Sequence, residues 1–215
     1  MKLSALLDKL SVDVGAGSLC GAAVLLRLNR PIDDLISKSM ALGPYHPGKP
    51  SPWSHTVILA EPYAGPKTKI LDCTIRDAKG NVDWTSDLLP ILRKGLDKNG
   101  GIYDGTVDDY DDRRVTATGV KHIPSLSAET RQAIVKAGKS LQSQGYKYDI
   151  PGLVRELIRL VIHIPAPAGR KLLFCSAFVQ KCYRRAKAGN FNPALSPKDV
   201  TPDDIWYSSL GIRLP

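Results

Sequence analysis

Two neighbouring apolar segments constrain the fold more than any other feature of this 215-residue sequence. Residues 54–61 (SHTVILAE) and 68–75 (TKILDCTI) are rich in β-branched and aliphatic side chains, and a turn with two prolines and a glycine separates them. The pattern predicts a β-hairpin whose turn spans residues 62–67. Because 43% of the residues are apolar, the chain is long enough to bury one core, and we expect a single domain over residues 1–215.

The rest of the sequence predicts further strands mixed with helices. Strands are expected over residues 22–27 and 114–120, and helices over residues 31–42, 128–143, 151–161 and 175–187. Residues 77–112 contain several glycines and acids with weak periodicity, so we interpret them as an irregular insertion at the surface.

Cys175 lies at the predicted start of a helix, directly after the apolar run LLF. The free backbone N–H groups and the positive dipole end of a helix N-terminus stabilise a thiolate, and the same N–H groups can hold an oxyanion. The alternative is a small buried apolar residue, because Cys175, Phe178 and Cys182 share one face at helical spacing. We assign the buried apolar role to Cys182. For Cys175 both interpretations, a reactive thiolate and a buried apolar residue, remain open.

His55 begins the first hairpin strand, where an imidazole can take the proton of a nearby thiol. Such a base needs an orienting acceptor, and Glu61 lies too far along the same strand to reach it. If the turn spans residues 62–67, an antiparallel register places His55 opposite residue 72 or 73, which makes Asp72 the expected partner. A slip of one residue would turn Asp72 to the other face, so an exposed edge acid is the alternative.

Two aromatic residues, Tyr45 and Trp53, precede His55 in a proline-rich loop. They are candidates for walls of a substrate cleft or for a second oxyanion donor, and packing is the alternative for each. Four cysteines without a CxxC pair, together with four widely separated histidines, predict reduced thiols and no metal site.

The net charge of +9 is concentrated late in the chain. Residues 131–187 contain twelve lysines and arginines against two acids, Asp149 and Glu156. This excess favours an anionic partner such as a cell-wall polymer, acidic lipid or nucleic acid, whereas a solvated helix face is the alternative.

The N-terminal segment does not resemble a secretory signal, because Asp8, Lys9 and Asp13 interrupt its apolar residues. The most apolar later run, residues 160–168, is far too short to cross a bilayer. We therefore expect no transmembrane segment, and either a cytoplasmic protein or one exported by a signal-independent route.

Five short motifs in this order resemble the permuted papain-like amidases of the YiiX and YaeF type, a rearranged branch of the NlpC-like cysteine hydrolases. The motifs are SPWSHTVIL (51–59), ILDCT (70–74), GYKYDIPGL (145–153), FCSAFVQKCY (174–183) and TPDDI (201–205). The resemblance implies an α+β, circularly permuted papain-like fold, with a central antiparallel sheet packed against helices and the nucleophile at a helix N-terminus. By the same resemblance Cys175 is the nucleophile, His55 the base and Asp72 the third residue, although glutamate is commoner at that third position.

The implied activity is hydrolysis of an amide bond, in a peptide such as those of the cell wall, through an acyl-enzyme and without a cofactor. A secreted bacterial effector toxin, countered by a protein inhibitor, fits this activity, and nucleic acid is not expected as a partner. The alternatives are a lipid acyl hydrolase or acyltransferase similar to lecithin:retinol acyltransferase, and a non-catalytic binding module in which Cys175 is inert. The lipid alternative is based on residues 151–164, which combine two arginines with a broad apolar surface.

Overall fold

A six-stranded antiparallel sheet forms the centre of the protein in the computed structural model, which describes residues 1–41, 44–45, 47–76, 79, 81–83, 100–148 and 172–215. The strands follow the order β4-β3-β2-β1-β5-β8. Their bounds are β1 Ala23–Leu28, β2 His55–Leu59, β3 Lys69–Ile75, β4 Gly100–Thr106, β5 Val115–His122 and β8 Ile212–Leu214. Two shorter strands, β6 Lys147–Tyr148 and β7 Leu172–Leu173, pair in parallel beside this sheet.

Helices flank the strands, so the fold is of the α+β type. The α-helices are α1 Leu3–Leu10, α2 Ala16–Leu19, α3 Pro31–Met40, α4 Ala128–Ser143, α5 Cys175–Arg185 and α6 Pro202–Tyr207. A π-helical turn covers Ser11–Gly15, and 3₁₀ turns cover Val107–Tyr110 and Pro197–Asp199. None of the helices within the described ranges is long and apolar enough to span a membrane.

The two faces of the sheet bury different apolar clusters, because successive side chains of a strand point to opposite faces. On β1, Ala23 and Leu25 belong to a cluster with α4, α5 and α6, which we call cluster one. Val24 and Leu26 belong to a second cluster with α1, which we call cluster two. The sheet is therefore covered on both faces.

Helix α1 covers cluster two, although we did not predict it from the sequence. Leu3, Leu6, Leu7 and Leu10 follow helical spacing and are all buried. The Ser4 backbone N–H donates to Asp111 Oδ1 at 2.8 Å, and this bond joins α1 to the segment that follows β4.

Our interpretation of residues 77–112 as irregular surface was wrong for residues 100–110. Residues 100–106 form β4, which pairs with β3 along its whole length, and the following 3₁₀ turn buries Val107 and Tyr110 completely. A glycine-rich strand has low intrinsic β-propensity, so its pairing depends on the tertiary neighbour β3 rather than on its own sequence. Residues 84–99 and the helix predicted over residues 151–161 lie outside the described residues.

Candidate active site

The hairpin of β2 and β3 brings His55 and Asp72 together. Asp72 lies opposite Val57, two residues along β2 from His55, so the two side chains are diagonal neighbours on one face. His55 Nε2 lies 2.9 Å from Asp72 Oδ1. The predicted pairing of His55 directly opposite residue 72 or 73 was wrong, but the common face survives because strand side chains alternate with a period of two.

The pairs Val57–Asp72 and Leu59–Ile70 are symmetric about residues 62–67, so the predicted turn itself sets residue 74, and not residue 72 or 73, opposite His55. The connection between the two strands is ordered by its own hydrogen bonds. It spans residues 60–68, and within it the Ala64 backbone N–H donates to the Thr68 hydroxyl at 2.7 Å. Glu61 accepts a hydrogen bond from the Lys69 backbone N–H at 2.8 Å, so this carboxylate stabilises the turn.

A third side chain, Tyr110, completes a hydrogen-bonded group that the sequence did not reveal. The Tyr110 hydroxyl donates to Asp72 Oδ2 at 2.6 Å and lies 3.2 Å from His55 Nε2. His55, Asp72 and Tyr110 are each at most 1% exposed. One signal for Tyr110 was available, since Val107 and Tyr110 are apolar residues three positions apart within an otherwise acidic stretch.

The charges around His55 favour its protonated form. Burial acts most strongly on the imidazole and lowers its pKa, but the charges of Asp72 and Cys175, together with hydrogen bonds to both, outweigh burial and raise the pKa to about 10. Burial and the Asp72 charge raise the pKa of Tyr110 well above its ordinary value. The Tyr110 hydroxyl therefore keeps its proton and acts as a donor to Asp72.

Cys175 is the first residue of α5, and its side chain lies close enough to His55 to raise the pKa of the imidazole. The N-cap residue is Phe174, whose side chain cannot accept hydrogen bonds from the first N–H groups of the helix. Because Asp72 occupies Nε2 of His55, we assign the contact with Cys175 to Nδ1. The thiol is buried, with 3% of the residue exposed.

Hydrogen bonds along α5 fix the position of Cys175. The Cys73 thiol donates to the Leu173 carbonyl at 3.5 Å, just before the helix begins. The Ser176 hydroxyl donates to the Val200 carbonyl at 2.7 Å, and the Tyr183 hydroxyl donates to the Gly21 carbonyl at 2.7 Å. The helix is therefore held at both ends.

A buried ion pair between Arg30 and Asp33 lies near this group of residues. Arg30 is 5% exposed and Asp33 is fully buried. The Arg30 charge acts on both Tyr110 and Tyr148, and in each case it lowers the pKa against the stronger effect of burial. The Arg30 guanidinium, paired with Asp33, is therefore close enough to Tyr110 to act on its hydroxyl.

The other three cysteines are also buried, and none of the four forms a disulfide. Cys182 belongs to cluster one, and burial raises the pKa of its thiol strongly. Burial also raises the pKa of Cys20, against the opposing charge of Arg131. These surroundings are typical of thiols that pack rather than react.

Tyr45 and Trp53, the two predicted substrate-binding residues, pack against α6. The Tyr45 hydroxyl donates to Asp204 Oδ1 at 3.0 Å, and its ring stacks on Tyr207 with centroids 5.0 Å apart. The Trp53 ring lies 4.6 Å from the Trp206 ring within cluster one. Tyr45 and Trp53 therefore contact α6, whereas Cys175, His55 and Asp72 lie together in the candidate site.

Among the described residues, no group of three or more His, Cys, Asp or Glu side chains could hold a metal ion. Comparisons of the sequence with models of known protein families and with curated proteins find no match.

Proposed function

We propose that this protein is a cysteine hydrolase of the permuted papain-like type, with Cys175 as nucleophile, His55 as base and Asp72 as the residue that orients the base. The observation that carries the proposal is that His55, in a buried site, contacts the Asp72 carboxylate through Nε2 and the Cys175 side chain as well. A strand histidine and a strand carboxylate come early in the chain, and the helix that begins at the cysteine comes late. This order supports the resemblance to the permuted family.

The same contacts give each residue a chemical role. His55 takes the thiol proton, and the resulting thiolate is stabilised by the imidazolium and by the N-terminus of α5. Cys175 Sγ then attacks the acyl carbon, and the Cys175 backbone N–H is positioned to stabilise the oxyanion. His55 returns the proton to the leaving amine as the carbon–nitrogen bond breaks, which leaves a thioester.

Hydrolysis of the thioester reverses the roles. His55 takes a proton from water, the hydroxide adds to the thioester carbon, and the carbon–sulfur bond breaks to release the carboxylic acid. The thiolate and imidazolium are thereby restored, and Asp72 holds the imidazole in one orientation throughout.

A peptide amide, such as one of the cell wall, is the proposed substrate class. The late basic region supports an anionic polymer, and within it Arg184 and Arg185 are exposed in the last turn of α5. They lie about 15 Å along the helix axis from Cys175, so they can contact a long substrate but not the scissile bond.

The test is to incubate wild type, Cys175→Ala and Cys182→Ala with purified cell-wall fragments and with phospholipid vesicles, and to identify products by mass spectrometry. Amide cleavage by wild type and Cys182→Ala, but not by Cys175→Ala, is the expected result. Cleavage of phospholipid alone would contradict the amidase assignment and favour a lipid acyl hydrolase. Product formation that survives in Cys175→Ala would contradict the assignment of the nucleophile.

A further inference from the structure

Tyr110 places a hydroxyl group in the middle of the proposed catalytic residues. It comes from the segment after β4, on a different part of the chain from the hairpin that carries His55 and Asp72. Its ring belongs to cluster two, where a phenylalanine would serve for packing. The hydroxyl contacts both Asp72 Oδ2 and His55 Nε2, so a packing role alone does not explain it.

We propose that Tyr110 is a positioning residue that fixes the orientation of the Asp72 carboxylate. In this orientation Oδ1 accepts the His55 Nε2–H, and the imidazole directs Nδ1 at Cys175. This inference rests on the proposed function and extends it to a fourth residue. With Oδ2 bound to the tyrosine, the carboxylate cannot rotate about its Cβ–Cγ bond without breaking a hydrogen bond at 2.6 Å.

The segment that carries Tyr110 is itself anchored to the hairpin. The Val107 backbone N–H donates to the Thr68 carbonyl at 3.0 Å, and the Asp108 N–H donates to the Pro66 carbonyl at 2.9 Å. A capping box between Thr106 and Asp109 closes the start of the 3₁₀ turn. The tyrosine is therefore held in a fixed position relative to the connection between β2 and β3.

Removal of the hydroxyl leaves Asp72 Oδ2 without that donor at a position where the carboxylate is fully buried. The charged carboxylate then becomes less favourable, and it supports the His55 imidazolium less well. Tyr110→Phe should therefore lower kcat for the hydrolysed substrate, and the alkylation rate of Cys175 at pH 7, by about tenfold, the usual size for a hydrogen bond to a charged group. KM should stay unchanged, because the tyrosine is not placed to touch the substrate.

Tyr63→Phe is the matched control. Tyr63 belongs to the same apolar cluster and is also buried, and its hydroxyl donates to a different carboxylate, Asp8 Oδ1, at 2.9 Å. The Tyr63 hydroxyl also lies 3.1 Å from the Ser4 carbonyl, so the control removes hydroxyl hydrogen bonds from cluster two without touching the proposed catalytic residues. A loss caused only by lower stability should therefore appear in both variants.

The experiment compares iodoacetamide labelling of Cys175 and the proton NMR resonance of the His55 Nε2–H in wild type, Tyr110→Phe and Tyr63→Phe. Slower labelling and an upfield shift of that resonance in Tyr110→Phe, with Tyr63→Phe unchanged, support the inference. Equal labelling rates and an unshifted resonance in all three proteins would overturn it. If Tyr110→Phe does not fold, a nuclear Overhauser effect in wild type between the Tyr110 hydroxyl proton and the His55 Nε2–H supports the inference, and its absence overturns it.

The two proposals fail in different ways. If Cys175 of wild type labels no faster than the other three thiols, the proposed function fails. If Cys175 of wild type is fast and Tyr110→Phe is equally fast, the role of Tyr110 fails while the proposed function stands.

Discussion

The first and last turns of helix α5 each carry a buried cysteine, and their surroundings differ. Cys175 and Cys182 lie two helical turns apart, so both side chains project from similar faces of one helix. Cys175 is at the N-terminus and contacts His55, whereas Cys182 lies among apolar residues that raise the pKa of its thiol strongly. Burial is common to both, so a helix terminus and an imidazole neighbour are what distinguish the proposed nucleophile from the packing residue.

The largest expected effect comes from exchanging each cysteine for alanine. Cys175→Ala should lower kcat/KM by at least about a thousandfold, because nothing else in the site supplies the sulfur that forms the thioester. Cys182→Ala should keep kcat within about threefold of wild type, because the side chain only packs. Measurement of initial rates with the substrate identified by mass spectrometry checks both values. Equal losses in the two variants would remove the distinction between the two ends of the helix.

Two substitutions of Asp72 test whether the His55 imidazole needs its carboxylate partner. Asp72→Ala removes both the charge and the acceptor of Nε2, and it should lower kcat by about a hundredfold. Asp72→Asn keeps an oxygen that can accept the Nε2–H, and it should cost only about tenfold. The ratio of the two variants in a steady-state assay separates orientation from charge. An alanine variant as active as the asparagine variant would show that the hydrogen bond contributes nothing.

The raised pKa of His55 predicts how stability changes with pH. Because the folded pKa is about 10 and the ordinary value is 6.5, the stabilisation from protonated His55 is fully present below pH 6.5 and is lost as the pH rises towards 10. The free energy of unfolding of wild type, minus that of His55→Asn, should therefore decrease between pH 6.5 and pH 10. Urea titrations across this range measure it. A difference that stays constant or grows would contradict the pairing of a protonated His55 with the charges of Asp72 and Cys175.

The smallest expected effect concerns Cys182. Cys182→Ser introduces a hydroxyl group into cluster one and should lower the free energy of unfolding by about 1–3 kcal/mol, because the hydroxyl is taken from water into an apolar site. Cys182→Ala provides the comparison without a polar atom. Urea midpoints at pH 7 give both values, and a serine variant as stable as wild type would indicate a polar neighbour at this end of the helix.

The sequence predicted the parts of the site that depend on local pattern. Apolar alternation located the strand of His55 and the strand of Asp72, and the expected start of α5 at Cys175 is confirmed. The pairing predicted for His55 was one or two residues off, because strands that pair symmetrically about residues 62–67, as Val57 and Asp72 do, set residue 74 opposite His55. The face of Asp72 was still correct, because residues 72 and 74 lie on the same face of the strand and Asp72 is therefore a diagonal neighbour of His55.

The contribution of Tyr110 could not be predicted in the same way. Strand β4 contains three glycines, Gly100, Gly101 and Gly105, and shows no apolar alternation of its own. Its position follows from pairing with β3, a long-range interaction that no local propensity encodes. Helix α1 differs, since its four leucines at helical spacing carry a signal that the sequence did contain.

The most direct test is the rate at which iodoacetamide alkylates each cysteine of the folded protein at pH 7, followed by peptide mass spectrometry. Cys175 should react much faster than Cys20, Cys73 and Cys182, and His55→Asn should slow Cys175 towards the rate of the other three. Uniformly slow labelling of all four thiols, or a rate at Cys175 that does not change in His55→Asn, would contradict activation of this sulfur by the imidazole.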